Sequence, residues 1–293
     1  MLDFAKGVIG ICQLKGGVGA STMAAALASC WARHGLSVAL VDLDDVNPQL
    51  SDWARVDTSC RKVTSEFLQM GEVPAQRLTE ILFAVEGYNG KLFAVGQPNS
   101  YHESFHFKAK VIEGAASASE FIHSLVGQLS AQFDVVVLDL GRSWGLATFA
   151  ALPLCQHVVL VTDDDPVSVD RSLEVLQRLK RESDEPSEFD FSRWSILLNG
   201  YTGRLISPQD IQSEVKRAGF LPANATLFVV PFSERGREWG SPGRSFYDCA
   251  EASVQDRLRG IASELMYFRY EPKQRGGAKF LKKWRPDTAA RPQ

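Results

Sequence analysis

A glycine-rich loop carries the residues with the clearest chemistry in this sequence. It follows an apolar run from Val8 to Cys12 and reads Lys15-Gly16-Gly17-Val18-Gly19-Ala20-Ser21-Thr22. Glycines allow successive backbone N–H groups to point inward, and the N-terminus of a following helix adds partial positive charge. Small residues at helical spacing follow the loop, so the order strand, glycine loop, helix predicts a site that binds phosphate.

One position departs from the general phosphate-loop pattern G-x-x-x-x-G-K-[ST]. That pattern places a lysine immediately before the Ser or Thr whose hydroxyl binds Mg²⁺. Here Ala20 occupies the lysine position and Ser21 the hydroxyl position. The general pattern is therefore not met, and a glycine-rich turn in some other α/β protein is the alternative interpretation.

Two later apolar runs end in aspartates that are candidates for the same site. The first extends from Ser37 to Asp44 and contains Asp42, and the second extends from Phe133 to Asp139. In an open parallel sheet, ligands bind at the carboxyl ends of the strands. A carboxylate there, in the arrangement called Walker B, accepts a hydrogen bond from Mg²⁺-bound water or orients the loop hydroxyl. The alternative is an acidic residue that merely follows a buried strand.

Together these segments resemble the ParA/MinD family of ATPases. The family has a deviant loop, K-G-G-x-G-K-[ST], whose additional first lysine is matched by Lys15. Its switch I, D-x-D-P-Q-G-N-x-S, resembles residues 42–49, and its switch II, D-x-P-P-S-x-G-L-x-T, resembles residues 139–148. Both switch II prolines are replaced, by Gly141 and Arg142. The resemblance covers the chain from residue 8 to about residue 265.

The resemblance implies a role for each matching residue. A catalytic role is implied for Lys15, Asp44 and Asp139, and Mg²⁺ binding for Ser21, Asp44 and Asp139. Binding of ATP or ADP is implied for Gly16, Gly17, Val18, Gly19, Ala20, Ser21, Thr22, Asn199 and Pro231. In that set, Asn199 and the loop after Pro231 match the segments from which the family contacts adenine. Lys15 would reach the phosphates bound by a second copy of the chain.

The function implied is an ATP-dependent dimerisation switch that positions a cellular cargo, such as a plasmid or chromosome, the division site or surface machinery. Because Ala20 removes the loop lysine, we expect weak turnover if the chain is an active ATPase. The alternative is an accessory ATPase, or a pseudo-ATPase scaffold, of a bacterial cellulose-synthesis or secretion complex. A metabolic ligase or metal-cluster carrier of the same superfamily is a third class, and the carriers lack support because the cysteine pair that they need is absent.

The order of elements predicts the fold. Strands alternate with helices, which is typical of a doubly wound, mostly parallel sheet with helices on both faces; the resemblance implies the P-loop NTPase type. We expect one ATPase domain over residues 1–267, followed by a basic, flexible tail over residues 268–293. The stretch 50–90 is less regular, with helical periodicity from Leu78 to Phe83.

The tail from Lys273 to Arg285 contains six positive charges and no acid. Phe280, Leu281 and Trp284 form a small apolar face among these charges. A basic amphipathic segment with aromatic residues suits the interface of an anionic membrane. The alternatives are a partner protein, non-specific DNA, or a disordered basic tail without a specific role.

Composition excludes several classes of protein. A net charge of −3 and a pI near 6.0 give no overall electrostatic case for nucleic acid. Five cysteines, without a C-x-x-C spacing, favour a reducing compartment over a disulfide framework or a zinc site. No signal peptide is apparent, and no apolar run approaches the roughly 18 residues of a spanning helix. We therefore expect a cytoplasmic protein, peripheral on the inner membrane if the tail binds lipid.

Overall fold

Eight strands form one sheet at the centre of the chain. The computed structural model describes residues 7–44, 48–96, 115–142, 144–182, 191–218, 226–240 and 243–267. The strands are β1 (Gly7–Gln13), β2 (Val38–Asp42), β3 (Leu82–Ala84), β4 (Leu92–Val95), β5 (Val135–Asp139), β6 (His157–Thr162), β7 (Trp194–Tyr201) and β8 (Leu227–Pro231). The predicted tail lies outside the described residues.

Helices connect these strands. They are α1 (Ala20–Arg33), α2 (Leu50–Trp53), α3 (Thr58–Met70), α4 (Ala115–Gln132), α5 (Leu146–Ala151), α6 (Pro166–Glu182), α7 (Pro208–Ala218), α8 (Phe246–Cys249) and α9 (Ala252–Tyr267). Short 3₁₀ helices cover Ala75–Ile81, Leu152–Leu154, Phe191–Arg193 and Arg235–Glu238. Among the helices of the described residues, none is long and apolar enough to cross a membrane.

The strand order is β3-β4-β2-β5-β1-β6-β7-β8. All neighbouring strands are parallel except β3 and β4, which are antiparallel. The predicted doubly wound, mostly parallel sheet is therefore confirmed. The helical periodicity from Leu78 to Phe83 is only partly correct, because a 3₁₀ helix ends at Ile81 and the chain then enters the edge strand β3.

Helices cover both faces of the sheet, because the central strands are apolar on both sides. In β1, Ile9 and Ile11 belong to the core that contains α1 and α9, whereas Val8 and Cys12 belong to the opposite core with α4. Successive side chains in a strand point to opposite faces, so a continuous apolar run is what a strand buried on both sides requires. Buried alanines on α1 let that helix lie close to the sheet.

The sheet order brings the predicted site residues together. Strand β1 lies between β5 and β6, and β5 lies between β2 and β1. In the register, Ile11 pairs with Asp139, and Asp42 also pairs with Asp139. The loop after β1 and the aspartates that end β2 and β5 therefore emerge side by side at one edge of the sheet, as the rule for parallel sheets predicts.

Candidate phosphate-binding site

The loop between β1 and α1 turns where its glycines allow it. Gly17 and Gly19 have φ values of 88° and 93°, which residues with side chains rarely adopt. Ala20 then begins α1 and is buried, and its N–H donates to the Gln13 side-chain oxygen at 3.3 Å. Gln13 is the last residue of β1, and the sequence analysis gave it no role. Its polar type at the end of an otherwise apolar strand is the signal that could have found it.

Asn199, in β7, holds the middle of this loop. Its Nδ2 donates to the carbonyl oxygen of Val18 at 2.8 Å. A Cβ at Gly19 would lie 2.5 Å from the same Nδ2, so the approach of Asn199 requires glycine at that position as well as its positive φ. The contact with the loop was not predicted. The role of Asn199 towards adenine stays a prediction.

The remaining predicted binding residues lie along the same edge of the sheet. Gly16 and Gly17 are exposed, Val18 is buried, and Ser21 and Thr22 are half-buried in the first turn of α1. Pro231 is the exposed last residue of β8 and pairs with Tyr201 in the register. These positions are compatible with the predicted roles, and those roles remain untested.

Three carboxylates are buried beneath the loop. Asp42, Asp44 and Asp139 are 4%, 3% and 0% exposed. Asp42 accepts the backbone N–H groups of Asp44, Gln49 and Leu50 at 3.0, 2.9 and 3.0 Å, and so it fixes the chain around switch I. Burial, together with the negative charge of Asp139, raises the pKa of Asp42 well above its ordinary value.

Asp139 is the carboxylate nearest to the loop hydroxyl. It accepts the N–H of Gly141 at 3.2 Å and a hydrogen bond from the Ser21 side chain. Burial and, to a smaller extent, the Asp44 carboxylate raise its pKa to about 6, against the opposing effect of these hydrogen bonds. Its Oδ2 atom is buried and has no hydrogen-bond partner among the described residues. A buried, unpartnered carboxylate oxygen is costly and calls for a ligand.

The donor set at this place fits Mg²⁺ held jointly with phosphate. No group of three or more His, Cys, Asp or Glu side chains within the described part of the chain could hold a metal alone. Mg²⁺ in phosphate sites is usually bound by one or two protein oxygens, several waters and the phosphates themselves. The Ser21 hydroxyl and the free Asp139 oxygen are donors of the right kind, so the prediction for these two residues is chemically sound.

Lys15 points to its own chain in this structure. Its Nζ lies 2.9 Å from Asp165 Oδ2, 2.6 Å from Ser168 Oγ and 3.5 Å from Asp163 Oδ2. The hydrogen bond with Asp165, more than the other charges, raises the pKa of Lys15. These partners follow β6, the strand beside β1. They were not predicted, although acidic residues at the end of the neighbouring strand are the same signal that identified Asp139.

Switch II lies against the other side of the loop. The N–H of Gln13 donates to the carbonyl of Gly141 at 3.2 Å, and Trp144 Nε1 donates to the carbonyl of Gln13 at 3.2 Å. Trp144 has a φ of 45°, stacks on Trp194 with ring centroids 6.2 Å apart, and contacts Phe149 edge to face. Gly141 and Trp144 are therefore bound to the strand from which the loop emerges. Asp45 of switch I and Ser143 of switch II lie outside the described residues.

This geometry defines the class of the protein. A glycine loop between the first strand and the first helix, with a hydroxyl on that helix and a buried aspartate ending the adjacent strand, is the arrangement of an α/β P-loop NTPase fold. Residues 6–185 match the family model AAA_31, described as an AAA domain. Because that match spans more than half of the chain, the protein belongs to this family. A search of curated proteins gives no match.

Solved structures share the fold. A ParA family ATPase from Chlorobium tepidum TLS has a TM-score of 0.69 at 19% identity, covering 89% of this chain and 100% of the other. The septum site-determining protein MinD from Pyrococcus horikoshii OT3, complexed with Mg-ADP, has a TM-score of 0.65 at 18% identity, covering 88% of this chain and 95% of the other. A chain of the MinC:MinD cell division protein complex from Aquifex aeolicus has a TM-score of 0.61 at 17% identity, covering 92% of this chain and 100% of the other. The resemblance to ParA/MinD ATPases is thus confirmed at the level of the fold.

Proposed function

We propose that the protein is a positioning switch of the ParA/MinD type, which binds ATP with Mg²⁺ and dimerises in the nucleotide-bound state. The observation that carries the proposal is the free Oδ2 of buried Asp139, next to the Ser21 hydroxyl and beneath the glycine loop. A carboxylate kept ionisable in that position has a purpose if Mg²⁺ and phosphates bind beside it. The relative from Pyrococcus, complexed with Mg-ADP, supports the same assignment.

The chain's own residues divide the work. Backbone amides from Gly16 to Gly19, with the N-terminus of α1, would bind the phosphates. Ser21 and Asp139 would hold Mg²⁺, which neutralises charge on the phosphates when bound. Asp44, buried beside Asp139, would orient the attacking water. Lys15 would serve the phosphates of a second copy, and for that it must leave the aspartates that now hold it.

Ala20 removes the loop lysine, and this by itself weakens ATP binding and slows turnover. A hydrogen bond to a charged group contributes about 1.5–3 kcal/mol, so the absence of the lysine weakens ATP binding by roughly 10- to 150-fold unless another cation takes its place. Turnover suffers more than binding, because the same charge would stabilise the transition state of phosphoryl transfer. The loop amides remain, so binding persists at a higher ATP concentration.

The cargo and the membrane are part of the proposal. The MinD relatives are named for septum-site determination and for a cell division complex, and by analogy this chain would place a cellular structure. The basic segment from Lys273 to Arg285 would dock the dimer on an anionic membrane. Two tails on one dimer bind more strongly than one, so membrane residence would depend on nucleotide. Non-specific DNA or a protein activator are the other partners that such a tail could serve.

A second candidate is favoured by the same alanine. If the nucleotide no longer has to be hydrolysed, the fold can act as a pseudo-ATPase scaffold, for example as an accessory component of a bacterial cellulose-synthesis or secretion complex. Ala20 is the specific observation, since it removes the side chain that hydrolysis needs most. The two candidates differ in one measurable property, which is whether nucleotide changes the oligomeric state.

Light scattering with a non-hydrolysable ATP analogue and Mg²⁺ tests the switch directly. With analogue, at protein and analogue concentrations well above the weakened dissociation constant, we expect the molecular mass to double. Without analogue, we expect the mass of a monomer. Lys15→Ala should bind analogue but remain monomeric, while Lys91→Ala, at an exposed lysine before β4, should behave as the unchanged chain. A monomer under all conditions, despite bound analogue, would favour the scaffold.

A further inference from the structure

Arg142 stands in switch II where the related ATPases have a proline, and its side chain lies over the phosphate loop. A Cβ built on Gly16 would lie 2.5 Å from Arg142 Nη1, 3.4 Å from its Cδ and 3.5 Å from its Cζ. A side chain at position 16 would therefore displace the guanidinium from this place. The guanidinium is thus packed on the backbone of the first glycine of the loop, at the mouth of the site.

The backbone around Arg142 holds it in this position. Gly141, with a φ of 63°, turns the chain sharply after Asp139, and a Cβ there would lie 2.5 Å from Asp44 Cγ. The hydrogen bonds of Gln13 with Gly141 and Trp144, at 3.2 Å each, tie both sides of Arg142 to β1. Arg142 therefore reaches the loop from a fixed base and not from a free surface segment.

The phosphate-binding site contains three buried acidic residues, and the lysine of its loop is engaged elsewhere. Asp42, Asp44 and Asp139 are buried under the loop and are negative when ionised, which opposes the approach of phosphates. Lys15, the cation of the loop itself, is held by Asp165 and Ser168. Arg142 is exposed and forms no ion pair with any of the described residues, so its charge is available to a ligand.

We propose that Arg142 replaces the missing loop lysine, by binding the β- and γ-phosphates of the nucleotide in its own chain. This inference rests on the proposed function, and it assigns the phosphate-binding cation to switch II instead of the loop. A guanidinium is planar and presents parallel N–H donors to phosphate oxygens, which makes it a good phosphate ligand. In other nucleotide hydrolases, an arginine supplied within the same chain stabilises the charge on the transferred phosphoryl group.

This role of Arg142 accounts for the alanine at position 20. With the positive charge coming from Arg142, position 20 needs no long side chain and can be filled by Ala20, the first residue of α1, which is 1% exposed and packed in the core. The departures from the family pattern at positions 20 and 142 are then a single exchange. Restoring lysine at position 20 should therefore compensate for the loss of the arginine.

Calorimetric titration with ATP, ADP and AMP in the presence of Mg²⁺ tests the exchange. We compare the unchanged chain with Arg142→Ala, Arg142→Lys, Ala20→Lys and the double variant Ala20→Lys/Arg142→Ala. Arg257→Ala, at an exposed arginine on α9, is the matched control. Thermal unfolding of each variant verifies that it is folded, and Arg142→Lys keeps the charge if the alanine variant is unstable.

Arg142→Ala should weaken ATP binding by at least tenfold, the effect of one charged hydrogen bond. It should leave AMP binding unchanged, because AMP has no β- or γ-phosphate. The affinity of Arg142→Lys for ATP should lie between those of the unchanged chain and Arg142→Ala. The double variant should regain most of the affinity that Arg142→Ala loses. The non-additivity of the two changes is the result that a merely structural role of Arg142 would not produce.

Three results would overturn the inference, and they can be told apart. If ATP binds and Arg142→Ala equals Arg257→Ala, the inference is wrong and the proposed function stands. If only variants with Ala20→Lys bind ATP, Arg142 does not replace the lysine and the natural chain is a scaffold. If no variant binds ATP, the proposed function fails and the inference fails with it.

Discussion

Replacing Asp139 by asparagine should stabilise the free protein, although it should damage the site. Asp139 is 0% exposed, and its Oδ2 has no hydrogen-bond partner among the described residues. Asparagine has almost the same shape and carries no charge. Its carbonyl can keep the hydrogen bond from Gly141, and its amide can face the neighbouring Asp44 carboxylate. The change therefore removes an unfavourable buried charge without opening a cavity.

The size of the effect follows from the pKa of Asp139. Burial raises it from 3.8 to about 6, which corresponds to about 3 kcal/mol between the two protonation states. Because the folded state binds the proton more tightly than the unfolded state, the cost is fully present above pH 6. It is lost as the pH falls through 6 towards 4. The stabilisation by Asp139→Asn should thus be about 3 kcal/mol at pH 8, about half of that at pH 5, and near zero below pH 4.

Urea unfolding at pH 8 and pH 5 measures this difference. The matched control is Glu72→Gln, which removes one negative charge from an exposed position after α3. The control should shift the urea midpoint little at either pH. A second measurement uses Mg²⁺, which should add to the stabilisation of the unchanged chain by ADP but not to that of Asp139→Asn.

Three outcomes would each refute a part of this prediction. An Asp139→Asn midpoint equal to or below that of the unchanged chain at pH 8 would show that the carboxylate is not a buried, costly charge. A stabilisation of the same size at both pH values would show that its cause is not the titration of Asp139. If Mg²⁺ helps both proteins equally, Asp139 is not part of the metal site.

Two further predictions concern turnover and the tail. In the Arg142→Ala background, Ala20→Lys should tighten ATP binding by at least tenfold and raise the steady-state rate of phosphate release by a larger factor, whereas in the unchanged chain, where Arg142 supplies the charge, both gains should be smaller. An unchanged rate would mean that the loop lysine is not what limits hydrolysis. Truncation after Pro272 should abolish sedimentation with anionic liposomes at low salt, whereas the intact chain should pellet and be released at high salt. Equal pelleting of both proteins would remove the membrane from the proposal.

The strand–loop–helix unit and the sheet could be predicted because their signals are local. Apolar runs buried on both faces, such as Val8 to Cys12, are visible in any short window of sequence. Helix α1, from Ala20 to Arg33, lies where the small residues at helical spacing after the loop predict it. The edge strand β3 was missed for the opposite reason, since three half-buried or exposed residues between a 3₁₀ helix and a turn carry no periodicity.

The contacts inside the site could not be predicted in the same way. Lys15 meets Asp165, and Asn199 meets Val18, across 150 and 181 residues of chain. Such pairs depend on which strands are neighbours, and no local pattern states that order. The part that the sequence does show is chemical type at strand ends, which identified Asp44 and Asp139.

Trp144 stores strain in switch II. A bulky residue with a φ of 45° costs on the order of 1–3 kcal/mol, and the Gln13 hydrogen bond and the stacking on Trp194 compensate for that cost. In switch II, these two contacts therefore hold a strained backbone conformation in place. Releasing the indole would lose these contacts but relieve the strain, so the strain offsets part of the free-energy cost of moving switch II. The same release changes the surroundings of a stacked tryptophan, so the movement should be visible in its fluorescence.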